Sequence, residues 1–247
     1  MHEPVIYESH EQIALITINR PERMNAIDEA VELGLADAWR RFNASDDRVA
    51  ILTGAGDAAF SAGKDRDSPG VPEYRRFAPG VDITVDKPVI AAVAGWCIGG
   101  ALTLVQMCDL CVAAENAKFV YPEAKIGFAG GLVGSLAVRI PHKIAMELML
   151  LGEPVDARRA YEVGFVNRLV PVGQQVAEAR ALAAKMVGHA PLVLRMLKQF
   201  ANATLPKGPV ERASEALRET DRLFTSDDYR EGRDSFRDKR RARFSGR

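Results

Sequence analysis

Cysteine is scarce in this chain of 247 residues, and all three cysteines lie within one apolar stretch. They are Cys97, Cys108 and Cys111, an odd number in which the C-x-x-C pair has no second pair to follow it. A structural zinc site of this type needs four ligands, so the spacing predicts no metal site. Buried thiols that pack as small apolar side chains are the favoured interpretation.

Net charge and long hydrophobic runs are also lacking. The 33 Lys and Arg residues balance the 33 Asp and Glu residues, which argues against nucleic acid as the main partner. No apolar run reaches the roughly 18 uncharged residues that a membrane-spanning helix needs. The N-terminal segment MHEPVIYESHEQ has neither a basic region nor an apolar region of the secretory kind. We therefore expect a cytoplasmic protein with no membrane partner.

Strand and helix patterns alternate through the first half of the chain. Runs rich in Ile, Val and Thr predict strands at residues 5–10, 13–18, 48–53, 88–94, 110–114 and 118–120. Asp28 is predicted to cap a helix that continues to about Phe42, and a second helix is predicted over residues 99–107. This alternation indicates the α/β class.

The remaining segments carry weaker patterns. A loop is predicted at residues 57–67, and residues 68–82 are rich in proline and glycine and are predicted to be irregular. From about residue 129 the chain is predicted to be mostly helical, with Asp156, Pro191 and Ser226 as start signals.

Paired glycines follow the predicted strand at residues 88–94, in the stretch GWCIGGALTLVQMCDL. The spacing G-x-x-x-G-G differs from the dinucleotide-binding fingerprint, and no ionisable side chain other than the thiols follows until Asp109. Glycine allows a ligand to approach the backbone closely. Amides at a helix N-terminus stabilise an anion, so Gly99 and Gly100 are candidates for an anion-binding role. The alternative is that they only allow the helix to pack on the strand.

Several segments together resemble one family. They are NRPERMNAID at 19–28, AILTGAGDAAFSAGKD at 50–65, KPVIAAVAGWCIGGALTLVQMCDL at 87–110, AKFVYPEAKIG at 117–127, KIAMELMLLGEPVDARRAYEVGFVNRLVP at 143–171 and EGRDSFRDKRRARF at 231–244. Their order and wording are similar to the enoyl-CoA hydratase/isomerase (crotonase) superfamily over nearly the whole chain. The resemblance implies an α/β fold, a crotonase-like spiral of ββα units with a C-terminal helical oligomerisation region.

The resemblance also implies a domain division and an assembly. Residues 1–190 would form the acyl-CoA-binding core, and residues 191–247 would form a helical region for trimerisation and coenzyme A contact. A homotrimer, or a hexamer built as a dimer of trimers, is the assembly expected from the family.

Acyl-CoA thioesters are the substrates that the resemblance implies, with coenzyme A carried by the substrate and no further cofactor. The backbone N–H groups of Lys64 and Gly100 would form the oxyanion hole for the thioester oxygen. Such preorganised donors stabilise an enolate by about 3–4 kcal/mol each. Glu123, after Tyr121 and Pro122, matches a family acid–base glutamate.

Five further residues match family positions that contact coenzyme A, namely Arg23, Ala26, Ala62, Phe236 and Lys239. Phe236 and Lys239 are predicted to share one face of a helix because they are three residues apart. Arg23 could equally be only solvated. The basic stretch 230–247 is interpreted either as a solvated helix end or as an anion site, for example for a neighbouring subunit's cofactor.

The sequence departs from the hydratase pattern at Thr103, where the family carries the first of two glutamates. A threonine hydroxyl cannot act as a general base near neutrality, although it can hold a water molecule. Glu123 is then the single acid–base group, which favours double-bond isomerisation over efficient hydration. Efficient hydration would need another residue to replace the missing function, and the candidates are Lys64, Asp65, Asp67 and Tyr121.

Three other functions stay open. A decarboxylase or a C–C hydrolase of the same fold also needs an enolate. A non-catalytic acyl-CoA-binding paralogue needs only the residues that bind the thioester and coenzyme A. Retention of Glu123 favours an enzyme, because burial of an unused carboxylate would cost free energy. The short segment 65–87 and the missing proline in 127–131 leave the size and shape of the acyl group open.

Overall fold

The computed structural model describes residues 3–70, 72–128 and 130–247. Its strands are β1 (Val5–His10), β2 (Ile13–Ile18), β3 (Val49–Gly54), β4 (Ala59–Ser61), β5 (Val89–Val93), β6 (Trp96–Ile98), β7 (Leu110–Ala114), β8 (Lys118–Val120), β9 (Val155–Asp156) and β10 (Arg168–Val170).

Ten α-helices accompany these strands in the described part of the chain. They are α1 (Glu29–Ala44), α2 (Tyr74–Phe77), α3 (Gly100–Met107), α4 (Glu123–Ile126), α5 (His142–Leu151), α6 (Ala157–Glu162), α7 (Gln175–Val187), α8 (Pro191–Thr204), α9 (Pro209–Phe224) and α10 (Asp227–Arg237). Two 3-10 helices lie at Pro21–Arg23 and Gly131–Val138.

The strands form two sheets. The larger has the order β1-β2-β3-β5-β7-β10, with an antiparallel β1–β2 hairpin and parallel pairing beyond it. The smaller has the order β4-β6-β8-β9. The chain visits them in turn, so that β3, β5 and β7 enter the large sheet and β4, β6 and β8 each follow into the small one. This repetition confirms the predicted spiral of strand pairs and helices.

The large sheet is covered on both faces. α1 begins where Asp28 accepts a hydrogen bond from the Val31 N–H at 2.9 Å, and it buries Leu35, Trp39 and Phe42 against one face. α7 covers the other face, against side chains of β3, β5 and β7. Sheets buried on both faces have nearly continuous apolar strands, which explains the runs in β3 and β5.

Most predicted elements of the first half are confirmed. β1, β2, β7 and β8 have the predicted bounds, and Asp28 caps α1 as expected. Asp156 and Ser226 cap α6 and α10, and Pro191 begins α8. The predictions of a loop over 57–67 and of irregular structure over 68–82 missed β4 and α2. Elements of three or four residues are too short to show a periodicity.

The prediction that Phe236 and Lys239 share a helix face is wrong. α10 ends at Arg237, and Lys239 has a φ of 53°. The Arg240 N–H donates to the Ser235 carbonyl at 3.0 Å, and the Lys239 N–H donates to the Phe236 carbonyl at 3.3 Å. These two bonds with a left-handed residue form a helix-ending motif that normally uses glycine.

The C-terminal helices expose several large apolar side chains. α8 has no buried residue and exposes Leu192, Leu197 and Phe200, and α10 exposes Phe236, whose relative accessibility is 87%. No helix among the described residues is both long enough and apolar enough to cross a membrane.

Candidate active site

The two amides predicted to bind the thioester oxygen lie next to each other. Ile27 donates to the Gly63 carbonyl at 2.7 Å and accepts from the Asp65 N–H at 2.8 Å. In this bridge the Lys64 N–H points away from Ile27. A Cβ atom added to Gly63 would lie 3.6 Å from the Gly100 nitrogen, so the two backbone segments are in contact. Within the described residues, neither the Lys64 N–H nor the Gly100 N–H donates to any acceptor.

The paired glycines are required by close approaches of two side chains. Gly99 has a φ of 58°, and a Cβ atom there would lie 2.6 Å from Oε1 of Glu123. A Cβ atom on Gly100 would lie 1.8 Å from Cζ of Tyr74. Gly100 is also the first residue of α3, where the helix dipole is positive. The glycines therefore bring an acid and a phenol against an amide that suits an anion.

Glu123 is buried at the start of α4, with 6% of its surface exposed. Burial raises its pKa from 4.5 to about 7, and a hydrogen bond with its own backbone offsets part of that rise. Its Oε2 atom has no hydrogen-bond partner among the described residues. A carboxyl group with this pKa can accept and return a proton near neutrality, as an acid–base catalyst must.

The Thr103 hydroxyl is committed to the backbone. Its Oγ1 atom donates to the Gly100 carbonyl at 2.6 Å, one turn earlier in α3, and the side chain is buried. Thr103 lines the same cavity as Glu123 and can offer only a lone pair to a water molecule there.

A cavity of about 200 Å³, which we call the acyl cavity, is lined by Tyr74, Gly100, Thr103 and Glu123, whereas Lys64 lines a separate cavity of about 240 Å³. The walls of the acyl cavity come from α2, from α3, from the segment after β8 and from α9. The lining residues are Pro72, Glu73, Tyr74, Arg75, Gly100, Thr103, Tyr121, Glu123, Phe128, Gly130, Gly131, Leu132 and Val210. A larger cavity of about 720 Å³ lies between the C-terminal helices and the core, and its lining residues include none of the predicted site residues.

Lys64 and Asp65, two of the candidates for the missing function, have other contacts. The Lys64 ammonium donates to the carbonyls of Asp65 at 3.1 Å and Ser68 at 2.8 Å. The Asp65 carboxylate is buried and pairs with Arg20 at 2.9 Å and Arg23 at 3.0 Å. Burial opposes ionisation of Asp65, but the hydrogen bonds of the charged form outweigh it and lower the pKa.

Asp67 and Tyr121, the other two candidates, are also engaged. Asp67 is exposed and forms an ion pair with Arg23. The Tyr121 hydroxyl donates to the Gly130 carbonyl at 2.8 Å and accepts from the Gly130 N–H at 3.2 Å. Burial, together with the charge of Glu123, raises the pKa of Tyr121 to about 12. In this structure all four candidates therefore have partners that hold them.

The residues predicted to contact coenzyme A are spread over two regions. Ala26 and Ala62 lie in neighbouring segments, because the Ala62 N–H donates to the Met24 carbonyl at 2.9 Å. Arg23 lies beside them in its pairs with Asp65 and Asp67. Phe236 and Lys239 are exposed on and beyond α10, outside the acyl cavity lining. Their contact with coenzyme A stays a prediction.

Tyr74 is a cavity residue that the sequence patterns did not indicate. It begins α2, within the segment predicted to be irregular, and its hydroxyl oxygen is buried without a partner in the described chain. Burial raises the pKa of Tyr74 strongly, and the charge of Glu123 raises it further. A single tyrosine in a proline- and glycine-rich segment carries no sequence signal of its own.

The three cysteines are buried and free, as predicted, and burial raises the pKa of each. No group of three or more His, Cys, Asp or Glu side chains that could hold a metal ion occurs within residues 3–70, 72–128 and 130–247.

Comparison with known proteins gives consistent matches. The family model described as enoyl-CoA hydratase/isomerase matches residues 8–247. The chain is 37% identical over 209 residues to (E)-benzylidenesuccinyl-CoA hydratase of Thauera aromatica, covering 80% of this chain and 82% of that one. It is 36% identical to carnitinyl-CoA dehydratase of Citrobacter koseri over the full length of both. The crystal structure of carnitinyl-CoA hydratase from Mycobacterium avium superposes with a TM-score of 0.77 at 33% identity, covering 100% of both chains. The fold is therefore the crotonase fold, and the chain belongs to the enoyl-CoA hydratase/isomerase family.

Proposed function

We propose that this protein is an enzyme that acts on an acyl-CoA thioester through an enolate. The amides of Lys64 and Gly100 hold the thioester oxygen, and Glu123 moves a proton at C2. The observation that carries the proposal is the juxtaposition of two unpaired amides with a buried carboxyl group whose pKa is about 7.

Removal of a proton from C2 places negative charge on the thioester oxygen. Amides that already point toward that oxygen need no reorganisation as the charge develops, and each is worth about 3–4 kcal/mol in comparable sites. The ionised form of Glu123 is the base, and its protonated form returns the proton. A pKa near neutrality keeps both forms populated.

Double-bond isomerisation is the reaction that this set of groups supports best. Glu123 takes a proton from C2 of a 3-enoyl thioester, the C3–C4 double bond moves to C2–C3 as the dienolate forms and collapses, and the proton is returned at C4. One carboxyl group is sufficient for this cycle. The cavity volume of about 200 Å³ favours a short or compact acyl group.

Reversible hydration is the second candidate reaction. The similar proteins of Thauera aromatica and Citrobacter koseri are called a hydratase and a dehydratase of CoA thioesters. Water addition needs a group that positions the water as well as Glu123. Decarboxylation, C–C hydrolysis and binding without turnover are the remaining alternatives, and a substrate panel separates them.

The C-terminal helices are proposed to mediate a homotrimer, or a dimer of trimers. The apolar side chains on α8 are exposed in the single chain, and burying them in a subunit interface would stabilise the assembly. Arg23, Ala26 and Ala62 are proposed to contact coenzyme A within the subunit. Phe236 and Lys239 are proposed to contact a neighbour's coenzyme A, and a cytoplasmic location stays an expectation.

The test is a panel of 2-enoyl, 3-enoyl and β-keto acyl-CoAs, with products identified by mass and deuterium incorporation at C2. We expect Glu123→Gln to lower C2 exchange by at least about 100-fold, as loss of an acid–base group does, while butyryl-CoA still binds. Unchanged exchange in this variant would contradict the proposal. Tight binding by the wild type with no exchange or turnover of any panel member would instead favour a non-catalytic binder.

A further inference from the structure

Two residues that line the acyl cavity each carry a buried side-chain atom without a partner. The two atoms are the Tyr74 hydroxyl oxygen and Oε2 of Glu123, and neither has a hydrogen-bond partner within the described chain. Both are buried, and a buried polar atom without a partner carries a desolvation cost. A ligand group that satisfied both would recover that cost.

The chemistry of the two atoms is complementary. The raised pKa of Tyr74 keeps its proton on the phenol near neutrality, so the hydroxyl can donate. The ionised carboxylate of Glu123 can only accept. A group that accepts from the phenol and donates to the carboxylate must carry both a lone pair and a hydrogen. A hydroxyl group or a water molecule meets that requirement.

The other hydroxyls of the cavity are not free to take this role. Thr103 donates to the Gly100 carbonyl, and Tyr121 exchanges two hydrogen bonds with Gly130. Tyr74 therefore carries the one hydroxyl without a partner in the cavity lining that the structure describes, and a ligand reaches this buried oxygen only if the Tyr74 side chain turns toward the cavity.

The order of atoms along the acyl chain is the basis for assigning a substrate atom to Tyr74. The Tyr74 ring lies against Gly100, and its hydroxyl oxygen would be 2.1 Å from a Cβ atom on that glycine. If the Gly100 amide binds the oxygen on C1, and Glu123 beside Gly99 reaches C2, the next atom along the acyl chain is C3. This step rests on the function proposed above.

We propose that Tyr74 is a specificity-determining residue that donates a hydrogen bond to an oxygen on C3, with Glu123 as the acceptor for that oxygen's proton. The ligand class is a 3-hydroxyacyl-CoA thioester, or water when the reaction runs toward hydration. Tyr74 would then fill, from a different element, part of the role that the threonine at position 103 leaves open.

The reaction balances with one acid–base group. In dehydration, the Glu123 carboxylate takes the proton from C2, and the enolate expels the oxygen from C3 with the electron pair of the C–O bond. The proton on Glu123 then moves to that oxygen, and water leaves. Tyr74 keeps its proton throughout and stabilises the departing oxygen by hydrogen bonding. Hydration is the reverse sequence.

The test measures binding of two probes, butyryl-CoA and each enantiomer of 3-hydroxybutyryl-CoA, by calorimetry. The Glu123→Gln background prevents turnover and keeps an amide oxygen as the acceptor. We expect the Glu123→Gln variant to bind one 3-hydroxybutyryl-CoA enantiomer about tenfold more tightly than butyryl-CoA. Adding Tyr74→Phe to this variant should reduce that affinity ratio to about one. Tyr161→Phe in the same background is the control, and its ratio should stay near tenfold because Tyr161 is exposed on α6 and does not line the acyl cavity.

The outcomes separate the two proposals. An unchanged ratio in the Tyr74→Phe protein, or no preference before that change, would overturn the role of Tyr74 while leaving the enolate function intact. Failure of both probes to bind would overturn the enolate function and this inference with it. Tyr74→Phe removes a single oxygen, and retained butyryl-CoA binding together with thermal unfolding shows that the variant is folded. In the wild-type background, which keeps Glu123, Tyr74→Phe should lower kcat/KM for dehydration by about tenfold, as loss of one hydrogen bond does.

Discussion

The charged cluster around Asp65 and the acyl cavity around Glu123 lie near each other but are built in opposite ways. Asp65 is buried with two arginines and a backbone N–H as partners, and its pKa is lowered. Glu123 is buried with an unpartnered oxygen, and its pKa is raised. The first arrangement stabilises the loop that carries Lys64. The second keeps a proton acceptor available for a ligand at the expense of stability.

Of the changes considered, filling the space over Gly100 in the acyl cavity is expected to have the largest effect. Gly100→Ala places a methyl group where the Tyr74 ring lies, so either the ring or the α3 N-terminus must move. We expect C2 exchange with an acyl-CoA to fall by at least about 100-fold, as when an oxyanion donor is lost. Gly134→Ala is the matched control, because nothing lies within 4 Å of a Cβ atom at that position. Equal rates in the two variants would contradict this prediction and would mean that the Tyr74 ring, and not the Gly100 amide, gives way.

The loss of stability caused by the unpartnered Glu123 carboxylate can be measured as a free energy of unfolding. The pKa of Glu123 is about 7 in the folded chain and 4.5 ordinarily, so the folded state binds more protons between these values. The wild type should therefore lose stability relative to Glu123→Gln as the pH rises from 4.5 through 7. We expect the variant to be more stable by about 1–3 kcal/mol at pH 8 and by little near pH 5.

Urea unfolding of both proteins at a series of pH values measures this difference. A gap of constant size across the range would show that the Glu123 pKa is not raised by burial. Since Glu123→Gln is also expected to lower C2 exchange, the same variant should be more stable and less active, as expected for a group retained for chemistry.

Removing the charge of Asp65 should change the free energy of unfolding in the opposite direction. Asp65→Asn leaves Arg20 and Arg23 without their buried carboxylate, and the side chain of Arg20 is itself mostly buried. We expect a loss of about 1–3 kcal/mol in the free energy of unfolding at pH 7, reduced from a fully buried pair because Arg23 is partly solvated. Denaturant unfolding checks it, with Asp67→Asn as the control for an exposed partner. A stability gain from Asp65→Asn would contradict the comparison.

The sequence predicted which residues form the site better than it predicted the side-chain contacts within it. Lys64, Gly100 and Glu123 follow β4, β6 and β8, and the alternation of strands between two sheets brings these strand ends near each other. The family motifs indicated the three residues, but of these strands only β8 was predicted from the sequence pattern. Thr103 could be recognised as a departure because it lies at a fixed distance from the paired glycines. Its bond to the Gly100 carbonyl could not, because it depends on the rotamer of one side chain.

Tyr74 was missed because its position depends on contacts between distant segments. α2 is held where Trp39 of α1 donates from its ring nitrogen to the Phe77 carbonyl at 2.7 Å, and these residues are 38 apart in the chain. No local pattern encodes such a contact. Lys239 was placed wrongly for a related reason, since a three-residue spacing predicts a shared face only if the helix continues, and α10 ends first.

The wall of the acyl cavity includes Val210, which belongs to α9 and also lies against Gly131, where an added Cβ atom would be 2.5 Å from its Cγ2 atom. This side chain comes from a helix that supplies neither an amide nor an acid to the reaction. Substitutions along α9 can therefore change the shape of the acyl cavity while the proposed catalytic residues Lys64, Gly100 and Glu123 stay the same. Homologues with identical amides and glutamate could diverge in the acyl groups they accept through changes on this helix alone.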